Sequence, residues 1–162
     1  MVYFHGNGED IGDNVYMFHE MRNYLQVNVF AVEYAGYGKA NTIQEPTPEK
    51  IKSDAADAYQ FLQNKLGFAQ ENIVLFGRSI GSGPACHLAN VRSDVRSVVL
   101  MSPFLSIERF GMDLKRKDPL SNFFDNGKSL EATNARLLII HGEKDTLIPM
   151  KQAEALVEVT FD

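Results

Sequence analysis

The stretch Ile73-Val74-Leu75-Phe76-Gly77-Arg78-Ser79-Ile80-Gly81-Ser82 decides the fold. Four apolar residues predict a short buried strand, and Ser82 to Asn90 predicts a helix immediately afterwards. Between them stands GxSxG, in the strand-turn-helix setting that gives this pattern its meaning. Gly77 and Gly81 are needed because the turn is so tight that a β-carbon at either flank would meet neighbouring backbone. Ser79 itself is then held in a strained backbone conformation and lifted out of the sheet. The turn also leaves the Ile80 backbone N–H at the start of a helix, where N–H groups are unpaired and positive potential accumulates. Such a group can bind a developing oxyanion.

Outward from this point the chain alternates short apolar runs with amphipathic stretches, the pattern of βα units around a parallel sheet. The runs are Met1 to Phe4, Val27 to Val32, Ile73 to Phe76, Val95 to Met101 and Leu137 to Ile140. They do not alternate polar with apolar, as expected of strands covered by helices on both faces. Pro48 to Leu66 places Ile51, Ala55, Ala58, Tyr59, Leu62 and Leu66 on one helical stripe, opened by Pro48 and closed by Gly67. Asn14 to Leu25 predicts a second helix, with Val15, Phe18, Met21, Arg22 and Leu25 along one side. Ile148 to Val157, opened by Pro149, predicts another. The fold class is therefore α/β, a mostly parallel sheet with helices on both faces, in a single domain over 1–162.

One segment breaks the alternation. From Gly111 to Leu130 the sequence is polar and interrupted by Asp118-Pro119 and Asn126-Gly127, and it reads as loop or short helix. A segment this long inside a compact domain suggests a lid or a mobile loop over 111–130.

Composition narrows the function. The 162 residues carry 44% hydrophobic and 23% charged side chains, the balance of a soluble globular domain. A formal net charge of −5, with basic residues scattered apart from Lys115-Arg116-Lys117, excludes a strongly basic nucleic-acid binder. The single cysteine, Cys86, has no partner for a disulfide or a CxxC zinc site, which fits a reducing, cytosolic setting. No apolar stretch reaches the ~20 residues of a membrane-spanning helix. Association with a membrane surface stays open.

Two further loops carry chemistry. His5-Gly6-Asn7-Gly8 follows the first apolar run, and its glycines let backbone approach a ligand closely. His141-Gly142-Glu143-Lys144-Asp145 follows the last run; an acid at the carboxyl end of a late parallel strand stands where a serine triad needs the group that orients its histidine. Asp145 is preferred over Glu143 because it lies later, where the loop turns back.

Together, His5-Gly6-Asn7-Gly8-Glu9-Asp10-Ile11-Gly12, Tyr34-Ala35-Gly36-Tyr37-Gly38-Lys39, Gly77-Arg78-Ser79-Ile80-Gly81, Ser102-Pro103-Phe104 and Leu138-Ile139-Ile140-His141-Gly142-Glu143-Lys144-Asp145 resemble the α/β-hydrolase superfamily. Within it they are most similar to the intracellular α/β-hydrolase-domain serine hydrolases that include protein depalmitoylases. The resemblance implies a nucleophile, Ser79, on the elbow after the central strand, with triad order Ser, Asp, His. It implies a second oxyanion donor in the early loop, the Asn7 N–H first and Gly8 second, beside that of Ile80. The chain departs from the family pattern at both ends: the first strands are absent, and the base histidine is expected beyond Asp162.

The four histidines present are poor substitutes. His87 lies on the helix of Ser79 but about 12 Å along its axis, at 1.5 Å per residue. His19 falls mid-helix, and His5 and His141 read as organisers of their own loops. Tyr34, Tyr37 and Phe104 are candidates to line an acyl pocket, although aromatic residues near strand ends are more often core. Cys86 reads as a small buried residue. No spacing suggests a metal site. The sequence thus predicts a cofactor-free serine hydrolase of the esterase or thioesterase type, acting on an ester, a thioester or an acylated protein. The competing reading is an inactive hydrolase-fold scaffold or interaction protein.

Overall fold

The computed structural model describes residues 1–40, 45–106 and 124–161. Its elements in chain order are β1 (Val2–Phe4), α1 (Val15–Leu25), β2 (Phe30–Val32), α2 (Pro48–Asn64), β3 (Val74–Arg78), α3 (Ser82–Val91), β4 (Ser97–Met101), α4 (Asn126–Glu131), β5 (Arg136–Ile140) and α5 (Lys151–Phe161). The five strands pair in the order β2-β1-β3-β4-β5, and every pairing is parallel. The strand leading to the GxSxG turn is therefore central.

Each predicted strand is present, with ends decided by its neighbour. β2 is shorter than the apolar run from Val27 because β1 offers only Val2, Tyr3 and Phe4 as partners, which take Phe30, Ala31 and Val32. β3 runs two residues further than its apolar run, because Gly77 and Arg78 still pair with Leu100 and Met101 of β4.

The sheet divides the core into two layers. Val2, Phe4, Leu75, Val98 and Leu100 pack on one side with Ile51, Tyr59, Leu88, Leu130 and Leu156 from α2 to α5. Tyr3 and Phe76 point the other way and pack with Met17, Phe18 and Met21 of α1. Residues of opposite parity in one strand face opposite layers, so both must be apolar.

Helix ends follow local chemistry. Thr47 caps α2 by accepting from the Lys50 N–H at 3.2 Å, with Pro48 at the first position. The helix ends at Asn64, so Leu66 lies outside it and is exposed. Gly67, at φ 71°, reverses the chain, as a left-handed residue past a helix end does. In α1 only Met21 is buried; Val15 and Leu25, expected on the apolar stripe, are exposed because α1 meets the sheet through Met17, Phe18 and Met21. α5 begins three residues later than predicted, since the Ile148 backbone is engaged by the preceding loop. The 111–123 part of the expected lid or mobile loop lies outside the described residues. From Asn126 the chain is the short helix α4, one of the two forms its sequence allows, with Asn126 and Leu130 buried.

Candidate active site

The carboxyl end of β3 sits between β1 and β4, with Gly77 paired to both Phe4 and Leu100. A single 3-10 turn, Ser79–Gly81, converts this strand into α3. A β-carbon on Gly77 would stand 2.7 Å from the Ser82 Cα, and one on Gly81 would stand 2.6 Å from the Phe4 carbonyl carbon and 2.8 Å from the His5 oxygen. Both contacts are with backbone, which cannot give way. Ser79 has φ 51°, a left-handed conformation uncommon outside glycine.

A buried polar strut holds this strained residue. The Ser82 hydroxyl donates to the Ser79 carbonyl at 2.6 Å, and Ser82 Oγ accepts from Asn126 Nδ2 at 2.9 Å. The same Asn126 amide donates to the Phe104 carbonyl at 2.9 Å, so α4 braces the turn from below. Ile80 packs its side chain into the core, leaving its backbone in the first turn.

The loop after β1 lies beside this turn. His5 is fully buried; its Nδ1 donates to the Gly6 carbonyl at 2.8 Å and its Nε2 lies 2.9 Å from Glu33 Oε1. Tyr37 donates its hydroxyl to Asn7 Oδ1. The Asn7 side chain is thus tied to Tyr37, while the His5 ring is bonded to the carbonyl at the loop's entry.

The loop after β5 brings in the acid. Asp145 Oδ1 accepts from the Leu147 N–H at 2.9 Å and from the Ile148 N–H at 2.8 Å. The Ile148 N–H is the largest influence holding the Asp145 carboxyl below its ordinary value; burial opposes it, while Leu147, a hydrogen bond from Ser102 and the nearby His141 add to it. His141 Nε2 donates to the Ile148 carbonyl at 2.7 Å and lies 3.8 Å from Asp145 Oδ2.

Gly6, Asn7, Gly8, Ser79, Ser102 and Asp145 all line one cleft of ≈ 300 Å³, together with Glu9, Arg78, Leu147 and Ile148. Loops from β1, β3, β4 and β5 therefore converge at the carboxyl ends of the strands, where open parallel sheets bind ligands.

Not every candidate arrives there. Tyr34 is a core residue, its ring centroid 4.1 Å from that of His5 and its hydroxyl donating to the His5 carbonyl at 3.1 Å. Phe104 is likewise buried in the core, and neither they nor Tyr37 line this cleft. None of the four histidines lines it either. His19 borders a separate hollow beside α1, and the His87 ring on α3 has its pKa lowered by burial and then by Lys52. Burial raises the Cys86 thiol far above its usual range, leaving no reactive thiolate. Among the described residues, no group of three or more His, Cys, Asp or Glu side chains is arranged to hold a metal ion. No helix among them is long and apolar enough to cross a membrane.

Ser102 is the residue that motif reading overlooks. It is legible only as part of Ser102-Pro103-Phe104, yet it has φ 47°, donates its N–H to the Ile140 carbonyl at 2.8 Å, and contacts the Asp145 carboxylate within the cleft. A second non-glycine residue at positive φ beside the first is the structural signal for it.

Comparison with known proteins agrees with this architecture. Residues 1–126 match the family described as alpha/beta hydrolase fold. Over 158 residues the chain is 29% identical to alpha/beta hydrolase domain-containing protein 17C of Mus musculus, covering 98% of this chain and 48% of that protein. The same identity holds for protein 17B of Homo sapiens, of which 54% is covered. The chain thus spans about half the length of the curated relatives it matches. A solved alpha-beta hydrolase from Vibrio vulnificus superposes with a TM-score of 0.80 at 18% identity, over 98% of this chain and 61% of that one. With a parallel sheet centred on the GxSxG strand and a family match over most of its length, the chain belongs to the α/β-hydrolase fold family.

Proposed function

We propose that this chain is the core of a serine hydrolase that cleaves a carboxylic ester or thioester through an acyl-enzyme on Ser79. The observation that carries the reading is Ser79 at φ 51° on a strand-to-helix turn, sharing one cleft with Asp145 and the Asn7–Gly8 backbone. Ser79 Oγ attacks the acyl carbonyl while a histidine takes its proton, and the backbone N–H groups of Ile80 and Asn7, with Gly8 as the alternative donor, hold the oxyanion. The histidine then protonates the leaving alcohol or thiol as the carbon–oxygen or carbon–sulfur bond breaks. Water, deprotonated by the same histidine, releases the acid and regenerates Ser79.

Asp145 orients that histidine. Its Oδ1 is committed to two backbone N–H groups, which keeps it ionised and leaves Oδ2 for an imidazole. The base comes from chain beyond Asp162, a reading supported by the absence of all four present histidines from the cleft lining. The substrate class, an acyl ester, thioester or acylated protein met in the cytosol or at a membrane surface, is taken from the motif resemblance. No cofactor takes part.

Fluorophosphonate labelling of the complete natural protein tests this without knowledge of the substrate. Labelling is expected, and Ser79→Ala is expected to abolish it together with hydrolysis of p-nitrophenyl esters. An unlabelled protein favours the alternative, a hydrolase-fold scaffold. Labelling of residues 1–162 alone at a comparable rate overturns the assignment of the base.

A further inference from the structure

Glu9 follows the glycine-rich loop, and its carboxylate joins two loops that are far apart in sequence. Oε1 accepts from the Gly6 N–H at 2.6 Å, while Oε2 pairs with the Arg78 guanidinium. Gly6 immediately precedes Asn7, and Arg78 immediately precedes Ser79 and stands two residues before Ile80. The same carboxylate therefore grips the chain just ahead of both candidate oxyanion donors. Gly6 makes room for it, since a β-carbon there would stand 2.9 Å from Glu9 Oε1.

The rest of the loop is tied in other directions. Asp10 Oδ1 accepts from the Gly12 and Asp13 N–H groups at 2.7 and 3.2 Å, and Glu33 Oε2 accepts from the Ile11 N–H at 3.2 Å. These contacts hold the far side of the loop to itself and to the end of β2. The Glu9 contact reaches across to the Ser79 turn through Arg78.

We infer that Glu9 and Arg78 are a positioning pair that sets the spacing between the Asn7 and Ile80 N–H groups; the inference rests on the hydrolase reading above. Two donors must converge on one oxygen, each about 2.7–3.1 Å from it. A displacement of about 1 Å in such a site costs on the order of 10²-fold in rate. A loop with glycine on both sides of Asn7 has little stiffness of its own, so a charge-assisted bond to Gly6 supplies it. Both carboxylate oxygens are engaged, one on each loop. The Arg78 side chain is 42% exposed and that of Glu9 16%, so the pair adds little to global stability. Its effect falls on geometry.

The test compares Glu9→Gln, Arg78→Gln and the double variant in the complete protein. Glu9→Gln keeps an acceptor for Gly6 and removes the charge. Each single variant is expected to lower kcat on p-nitrophenyl acetate roughly tenfold with KM within about twofold, the split expected when a transition-state contact is lost. The double variant should be no slower than the slower single, because both break one interaction. Melting midpoints should barely move, and Arg78→Lys should recover most of the rate. Amide hydrogen exchange at Gly6 should accelerate in Arg78→Gln, which does not touch that amide. Full kcat in either single variant, additive losses, or losses that follow the melting midpoint would overturn the inference. A wild-type protein inert to both ester and fluorophosphonate sinks the hydrolase reading and the positioning role with it. Gly6 exchange then decides separately whether the tie between the loops exists.

Discussion

Two loops of this protein begin alike, His5-Gly6 after β1 and His141-Gly142 after β5, and they deliver opposite chemistry to the same cleft. In each the histidine is an internal brace, bonded to the Gly6 carbonyl in one case and to the Ile148 carbonyl in the other. The difference lies in where the carboxylate stands. Beside His5 it is Glu33, contributed by the end of β2 and absent from the cleft lining, which this loop supplies through Gly6, Asn7, Gly8 and Glu9. Beside His141 it is Asp145 of the same loop, and the carboxylate itself faces the cleft. A histidine-glycine pair after a parallel strand thus specifies a braced loop, and the position of its acid specifies what the loop presents.

In the proposed mechanism the β5 loop acts through a side chain and the β1 loop through backbone. Asp145→Asn should reduce kcat of the complete protein by roughly 10⁴, since the histidine would lose its orienting charge. A steady-state assay that finds less than a tenfold loss removes Asp145 from the triad.

The β1 loop should respond to loss of an N–H and ignore loss of a side chain. Asn7→Pro is expected to cost roughly 10² to 10³ in kcat, the usual effect of deleting one oxyanion donor. Asn7→Ala should cost far less, although it gives up the bond from Tyr37. Equal losses from the two variants, measured alongside melting midpoints, would assign the role to the side chain.

Both braces are buried, with side chains 0% and 3% exposed, but the His5 ring also packs on two tyrosine rings. His5→Ala empties a fully buried site and removes the ring that packs on Tyr34 and Tyr37, at a cost of roughly 3 kcal/mol. His141→Ala removes a buried ring and its bond to the Ile148 carbonyl and should cost about 2 kcal/mol. Denaturant unfolding of the two variants orders them, and the reverse order would break the comparison.

The smallest effect is at acid pH. The folded-state pKa of Asp145 is depressed, so its contribution to stability is present above the unfolded carboxylate value of about 3.9 and is lost as pH falls through the lower folded value. The stability difference between wild type and Asp145→Asn should therefore be constant near neutrality and should close below about pH 4. A difference that persists unchanged in strong acid would mean the carboxylate is not hydrogen-bonded as ionised.

Much of this arrangement is readable in the chain alone, and the misreadings share a cause. The GxSxG turn is legible because its glycines, its strain and its strand-helix context lie within about ten consecutive residues. The apolar stripe of α1 misleads at Val15 and Leu25 because periodicity gives a face but not how much of it a short sheet covers. Ser102 has no role that a motif could give it, because its contact with Asp145 joins β4 to β5, a pairing that no local pattern reveals. Tyr34 is a pocket candidate by position along the chain, yet its ring packs on His5 within the core.

The sequence by itself determined the order of strands and helices, the tight turn at Ser79 and the glycines it requires. These follow from backbone sterics and hydrophobic period, which act between near neighbours. Only the tertiary structure decided that β3 is flanked by β1 and β4, that Asp145 and Ser102 meet at the cleft, and that Glu9 reaches Arg78. Those contacts arise from pairing strands in space, where packing and hydrogen bonding join residues that the chain separates by tens of positions.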